Sequence, residues 1–156
     1  MIRSMEKRDK EAILGILDET GMFTPAEIAV AEEIMDIYLD RPDQTDYGIV
    51  VIENAAAAIA GYMSYGPTPL TDGAYDLYWM AVAPKEQGRG HGKALVRWLE
   101  DQVKSWEGRM IIIETSSQLK YRPTREFYVR LGYKEVARIP DFYKPGDDRI
   151  IYAKYF

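Results

Sequence analysis

AVAPKEQGRGHGKALVRWLE, residues 81–100, is the stretch on which the reading of this chain turns. Gly88, Gly90 and Gly92 alternate with Arg89 and His91, and a helical pattern follows at once. In that pattern Leu95, Trp98, Leu99, Val103 and Trp106 fall on one face and are expected as a helical core face. A glycine inside a helix costs about 1 kcal/mol relative to alanine. Three at a helix start therefore point to a backbone that needs left-handed dihedrals or the close approach of a ligand. Ahead of the glycines, YDLYWMAV (75–82) is apolar nearly throughout, which predicts a central strand. Strand, glycine turn and helix together make an anion site. Unpaired amides at a helix start converge on a phosphate, and the helix dipole reinforces them. Arg89 and Lys93 add positive charge.

Two familiar phosphate loops are excluded by spacing. A Walker loop requires glycine where Gln87 stands and Ser or Thr where Ala94 stands. A dinucleotide fingerprint opening at Gly88 requires Gly or Ala where Lys93 stands. What remains is Q-x-x-G-x-G, carried by Gln87, Gly90 and Gly92, behind V-x-P in Val82 and Pro84.

Upstream, residues 1–9 read as a short strand or lead-in. From Asp9, the residues Ile13, Leu14, Ile16 and Leu17 keep helical spacing up to Gly21. In FTPAEI, Thr24 is a candidate N-cap, Pro25 fits the first helical position and Glu27 completes a capping box. Phe23 and Ile28 are placed as a hydrophobic staple. YGIVVIEN and IAGYMSYG read as strands with Asn54 between them, and Gly66–Gly73 reads as a loop. Downstream, Gly108 ends the helix, and RMIIIETS (109–116) is a second buried strand. A short helix over Pro123–Gly132 carries Phe127, Tyr128 and Leu131. YKEVARI and DRIIYAKYF close the chain as two strands joined by a Pro/Gly/Asp turn. No repeat or linker interrupts this order. The expectation is a single domain over residues 1–156, of α/β (α+β) class, with a mixed, mostly antiparallel sheet flanked by about four helices.

Composition narrows the chemistry. The absence of cysteine excludes disulfides, thiolate metal sites and a cysteine nucleophile. A single histidine leaves no room for a His-rich zinc site, and no metal is expected. A net charge of -5 argues against a nucleic-acid partner. MIRSMEKRDKEA has no apolar stretch of signal-peptide length, and no later run approaches the roughly 20 apolar residues of a membrane span. A cytoplasmic protein with no membrane partner is expected.

The Q-x-x-G-x-G segment, the late run TREFYVRLGYKEV and the order of elements over nearly the whole chain resemble the GCN5-related N-acetyltransferase (GNAT) superfamily. The resemblance implies that Gln87, Gly88, Arg89, Gly90, His91, Gly92 and Lys93 bind the pyrophosphate of acetyl-coenzyme A. Within that loop the His91 side chain is expected to face solvent. By the same resemblance Met80, Ala81 and Val82 hold the splayed strand position that pairs with the pantetheine arm. Tyr121 stands where the family often carries an asparagine that contacts the cofactor. Phe127, Tyr128, Gly132 and Tyr133 match the family's FYxxxGF ending, which makes Tyr128 the general acid for the departing thiolate.

Acetyl transfer to an amine needs no enzyme nucleophile if amine and thioester are held side by side. The ammonium must first lose a proton, and two carboxylates match base positions in different family branches: Glu114, ranked slightly ahead, and Asp76. The acceptor usually lies between the first two helices and the last hairpin. Here those segments supply Met22, Phe23, Tyr38, Tyr65, Tyr75, Phe142 and Tyr143, with Asp72, Asp141, Asp147 and Asp148. Aromatic walls with a few acids suit a primary amine of a small molecule or amino acid. TPAEI resembles a subgroup linked to D-alanine acetylation. The competing readings are a protein N-terminal or lysine acetyltransferase and, from another class, a catalytically silent module that senses coenzyme A. A sensor needs neither Tyr128 nor a carboxylate base. Homodimers are common in the family.

Overall fold

The computed structural model describes residues 1–156. In chain order the elements are β1 (Ile2–Ser4), α1 (Lys10–Glu19), α2 (Pro25–Asp40), β2 (Gly48–Glu53), β3 (Ile59–Pro67) and β4 (Ala74–Val82). They continue with α3 (His91–Ser105), β5 (Met110–Ser116), α4 (Arg122–Arg130), β6 (Lys134–Lys144) and β7 (Asp147–Tyr155). The strands form one seven-stranded sheet in the order β1-β2-β3-β4-β5-β7-β6. β4 and β5 pair in parallel, whereas β1–β2, β2–β3, β5–β7 and β6–β7 pair antiparallel. The α/β class, the mixed sheet and the four helices are those the sequence predicts. β4 occupies the middle of the order, as its apolar sequence requires. No helix is long and apolar enough to cross a membrane.

Contacts gather the chain into two compact units. The first comprises Met1–Gly66 and Tyr78–Leu99. Its core joins Ile13, Ile16 and Leu17 of α1 and Ala31 and Met35 of α2 to Ile49, Val51, Tyr62 and Ala81 of the strands. Full burial of such aliphatic side chains contributes about 1.5–3 kcal/mol each. Leu95, Val96 and Leu99 of α3 are also buried. α2 starts where local chemistry dictates: the Thr24 hydroxyl accepts from the Glu27 amide at 3.2 Å, and Pro25 opens the helix. Glu27 completes the pairing through the Thr24 hydroxyl, which donates to its carboxylate at 3.1 Å, so the reciprocal contact is side chain to side chain. Phe23 and Ile28 pack against the core, and the Phe23 ring lies 5.4 Å from that of Trp79.

The second unit comprises Pro67–Leu77 and Glu100–Phe156. Ile111 and Ile113 of β5, Ile150, Tyr152 and Ala153 of β7, and Tyr128, Leu131 and Tyr133 are buried. The buried Glu100 carboxylate accepts from Lys154 at 2.9 Å, and the same ammonium donates to the Leu131 carbonyl at 2.9 Å. Three local expectations are corrected. Trp106 is exposed rather than core, because α3 ends at Ser105 and the chain reverses through Glu107 at φ 57°; its ring packs on Tyr75 at 5.4 Å. Gly66 and Pro67 belong to β3 rather than to the loop. Pro140 lies inside β6 rather than in the turn, which a strand at the sheet edge allows because its outward amide needs no partner.

Candidate functional site

In the first unit the glycine segment leaves β4 through a 3-10 turn at Pro84–Glu86. Gly88 and Gly90 take φ of 76° and 88°, the left-handed region that favours glycine. A Cβ built at either position meets no atom within 4 Å, so the requirement is conformational and the space above the loop is open. Gly92 already lies within α3. The first backbone bond of that helix runs from Ala94 to the Gly90 carbonyl at 2.9 Å, and none of the amides from Gly88 to Lys93 reaches a carbonyl. Six successive donors at a helix start, open to solvent and beside Arg89 and Lys93, fit a diphosphate. Gln87 folds back, its side-chain amide donating to the Val82 carbonyl at 3.2 Å. The expectation of a solvent-facing His91 is corrected: its ring is 17% exposed, with Nε2 3.3 Å from the Glu86 carboxylate.

β4 pairs with β5 over Ala74–Leu77, and Met80, Ala81 and Val82 lie past the last of these pairs.

In the second unit Asp76 registers with Ile112, Glu114 with Ile151, and Ser116 with Arg149. Strand alternation therefore puts Asp76, Glu114 and Arg149 on one face. Asp76 is half-buried, and its Oδ2 accepts from the Thr68 hydroxyl at 2.6 Å. Burial raises its carboxyl above the usual range. The Thr68 hydrogen bond opposes this, the Glu114 charge adds to it and the Arg149 charge subtracts. Glu114 has different company. Arg149 Nε lies 2.7 Å from Oε1, Arg149 Nη2 donates to Oε2 at 3.2 Å, and the Tyr143 hydroxyl donates to Oε1 at 2.7 Å. Burial and the neighbouring Glu114 charge push the Tyr143 phenol up.

A bulge brings these groups together. Ile139 opposes Arg149 and Lys144 opposes Asp147, so Pro140–Tyr143 face the single residue Asp148. Asp141 adopts φ 52° there, held by its amide on Asp148 Oδ1 at 3.0 Å and by the Gly146 amide on its own Oδ1 at 2.6 Å. The Arg149 guanidinium sits 5.1 Å from the Phe142 ring centroid.

Tyr128 of α4 is buried, its ring meeting Phe127 and Tyr133 edge-on at 5.2 and 5.9 Å. Burial pushes its phenol up, which keeps it protonated and able to donate. Tyr121 precedes α4 as its N-cap, with the Lys120 ammonium 5.2 Å from its ring centroid. Of the acids expected around an acceptor, Asp147 is buried instead, accepting from Ser116 and from Gln118 at 2.7 Å. Sequence reasoning missed Thr68, Glu86 and the Arg149–Glu114 pair. No local signal announces them, since each depends on a partner brought in by strand register or by a distant turn.

The profile of the acetyltransferase (GNAT) domain matches residues 45–135. No curated protein matches the sequence. Among solved structures, one from Desulfovibrio desulfuricans assigned to the GNAT acetyltransferases is 41% identical, with a TM-score of 0.93, covering 99% of this chain and 98% of its own. An aminoglycoside 6'-N-acetyltransferase complexed with coenzyme A shares 20% identity at a TM-score of 0.74, over 99% and 96% of the two chains. The ribosomal-protein-S18-alanine N-acetyltransferase of Escherichia coli shares 20% at 0.77, over 99% and 92%. At that identity the last two speak for the fold alone.

Proposed function

The chain belongs to the GNAT acetyltransferase family, and from that premise we propose that it transfers acetyl from acetyl-coenzyme A to the primary amine of a small molecule or amino acid. The observation that carries the donor half is the run of open amides from Gly88 to Lys93. Gly88, Arg89, Gly90, His91, Gly92 and Lys93 would hold the diphosphate, with Gln87 bracing the loop against Val82. The bound donor supplies a thioester carbonyl that an unprotonated amine can attack directly. The strand segment Met80–Val82 and the helix cap Tyr121 would contact the rest of the donor.

The proton roles follow from environment. Asp76 acts as base: burial raises its proton affinity, and one hydroxyl holds its carboxylate in place. Glu114 is the second candidate, but both its oxygens are already engaged by Arg149 and Tyr143. Its support is therefore for positioning Arg149 and the aromatic bulge beside the acceptor. Tyr128, kept neutral by burial, donates a proton to the leaving thiolate. Exposed Phe142 and Tyr143 supply the aromatic wall that suits a small-molecule amine.

A thiol-release screen across amines and amino acids, D-alanine included, tests this reading. Wild type is expected to release coenzyme A with a small amine, and Tyr128→Phe is expected to lose about 100-fold in kcat, the lower range for general acid catalysis. Turnover confined to peptides would move the reading to a protein acetyltransferase. Absence of coenzyme A binding in calorimetry would overturn it.

A further inference from the structure

A buried carboxylate beside an anion loop is an electrostatic oddity. Glu86 is 5% exposed and stands directly before the glycine segment. Its charge has the same sign as the ligand the loop would take, so it opposes binding unless it does something else. Its contacts show what that is. Oε1 accepts from the Asn54 side-chain amide at 3.0 Å. Oε2 lies 3.3 Å from both Arg89 Nη1 and His91 Nε2. Asn54 is itself locked in the β2–β3 turn: its Oδ1 accepts from the Ala56 and Ala58 amides at 2.9 and 3.1 Å, and its backbone closes the turn onto Ala58 and Ala57. A rigid turn thus holds the carboxylate, and the carboxylate holds both the first residue of α3 and the arginine between two left-handed glycines. Those glycines would otherwise leave the loop a wide choice of conformations to lose on binding. Arg89 is gripped through one nitrogen while its side chain stays 65% exposed, leaving its remaining donors for an anion.

We infer that Glu86 is a positioning residue for the donor loop: anchored by Asn54, it fixes Arg89 and His91 so that the amides from Gly88 to Lys93 are aligned before the diphosphate arrives. This rests on the reading of that loop as the coenzyme A site. The Asn54–Glu86 bracket never touches the donor, and its whole effect is conformational.

Glu86→Gln keeps the shape but has one oxygen where Asn54 and Arg89 both donate, so its amide must face one of them and the charged grip on Arg89 is lost. Titration calorimetry with coenzyme A is expected to give about tenfold weaker binding, equivalent to about 1.4 kcal/mol. Asn54→Ala, which leaves the charge in place, is expected to weaken binding in the same direction, and it carries the test if Glu86→Gln fails to fold. The sign discriminates. If Glu86 were only a like charge near the ligand, Glu86→Gln would bind coenzyme A more tightly. If it were only a structural carboxylate, both variants would melt earlier while the folded protein kept wild-type affinity. Either outcome overturns the inference while wild type binds coenzyme A. Failure of wild type itself to bind would overturn the loop assignment beneath it.

Discussion

Replacing Thr68 by valine isolates the group that sets the ionisation of Asp76. The side chain keeps its shape and loses the hydroxyl that donates to Asp76 Oδ2 at 2.6 Å. The backbone role of Thr68, whose amide donates to the Ala74 carbonyl at 2.9 Å, is untouched. A hydrogen bond to a charged group is worth about 1.5–3 kcal/mol, and one pKa unit corresponds to about 1.36 kcal/mol. Half-burial leaves water able to replace part of that bond, so the lower end applies, about one unit. The direction is upward. The hydroxyl stabilises the carboxylate form, and without it the burial that already raises the group loses its largest opponent, with only the Arg149 charge left to oppose it.

If Asp76 is the base, only its ionised form can take a proton from the acceptor. The acid limb of kcat/KM against pH, measured by thiol release at saturating donor, should therefore move up by about one unit, with the alkaline plateau unchanged. Stability offers an independent reading. A carboxyl whose folded pKa is raised binds more protons when folded, so its contribution is fully present below the unfolded pKa and is lost as pH rises through the folded one. Thr68→Val widens that window. Its stability deficit relative to wild type should be larger by about 1.4 kcal/mol near neutral pH than well below the carboxylate range, measured by denaturant melts at both. An acid limb that stays in place while the deficit grows toward neutral pH refutes the assignment of Asp76 as base, and a deficit equal at both pH values refutes Thr68 as the group that tunes its ionisation.

Two further outcomes follow from local geometry. Gly90→Val places a β-branched residue at φ 88°, a conformation that costs about 1–2 kcal/mol for a residue with a Cβ. Since the surrounding space is open, the fold should persist while calorimetry shows at least tenfold weaker coenzyme A binding. Unchanged affinity would mean that the loop does not need its left-handed turn. Lys154→Met removes the ammonium 2.9 Å from the buried Glu100 carboxylate and should cost about 3 kcal/mol in denaturant unfolding. Adding Glu100→Leu should recover most of that loss, and a double variant no better than the single would show that the deficit comes from packing.

What the sequence displays plainly is what local chemistry decides. Thr24, Pro25 and Glu27 start α2 because capping needs only neighbours along the chain. The glycine spacing shows a left-handed turn ahead of a helix because positive φ is a property of single residues. Reading fails where a distant partner intervenes. The helical stripe, carried on to Trp106, takes no account of a chain that leaves the helix after Ser105 and turns at Glu107. His91 looks like a surface residue until Glu86 is buried beside it, and Glu86 is buried because Asn54, on the β2–β3 turn, meets it there. Asp76 and Glu114 are both visible as candidate bases. Their division is not, since it depends on which of them the β7 arginine reaches.

That division also governs how a variant of Glu114 is to be read. From Asp76, the Glu114 and Arg149 charges oppose each other, one raising and the other lowering its proton affinity. They sit in contact, so their fields largely cancel, and burial with the Thr68 hydroxyl decides the outcome. Glu114→Gln breaks the balance. Arg149 would then act on Asp76 without its counter-ion, stabilise the carboxylate and make it a weaker base. With Asp76 as base, activity would fall although Glu114 takes no proton from the acceptor. A rate loss in that variant therefore does not identify the base, whereas the direction of its acid limb does. The limb shifts to lower pH if Asp76 is the base and disappears if Glu114 is.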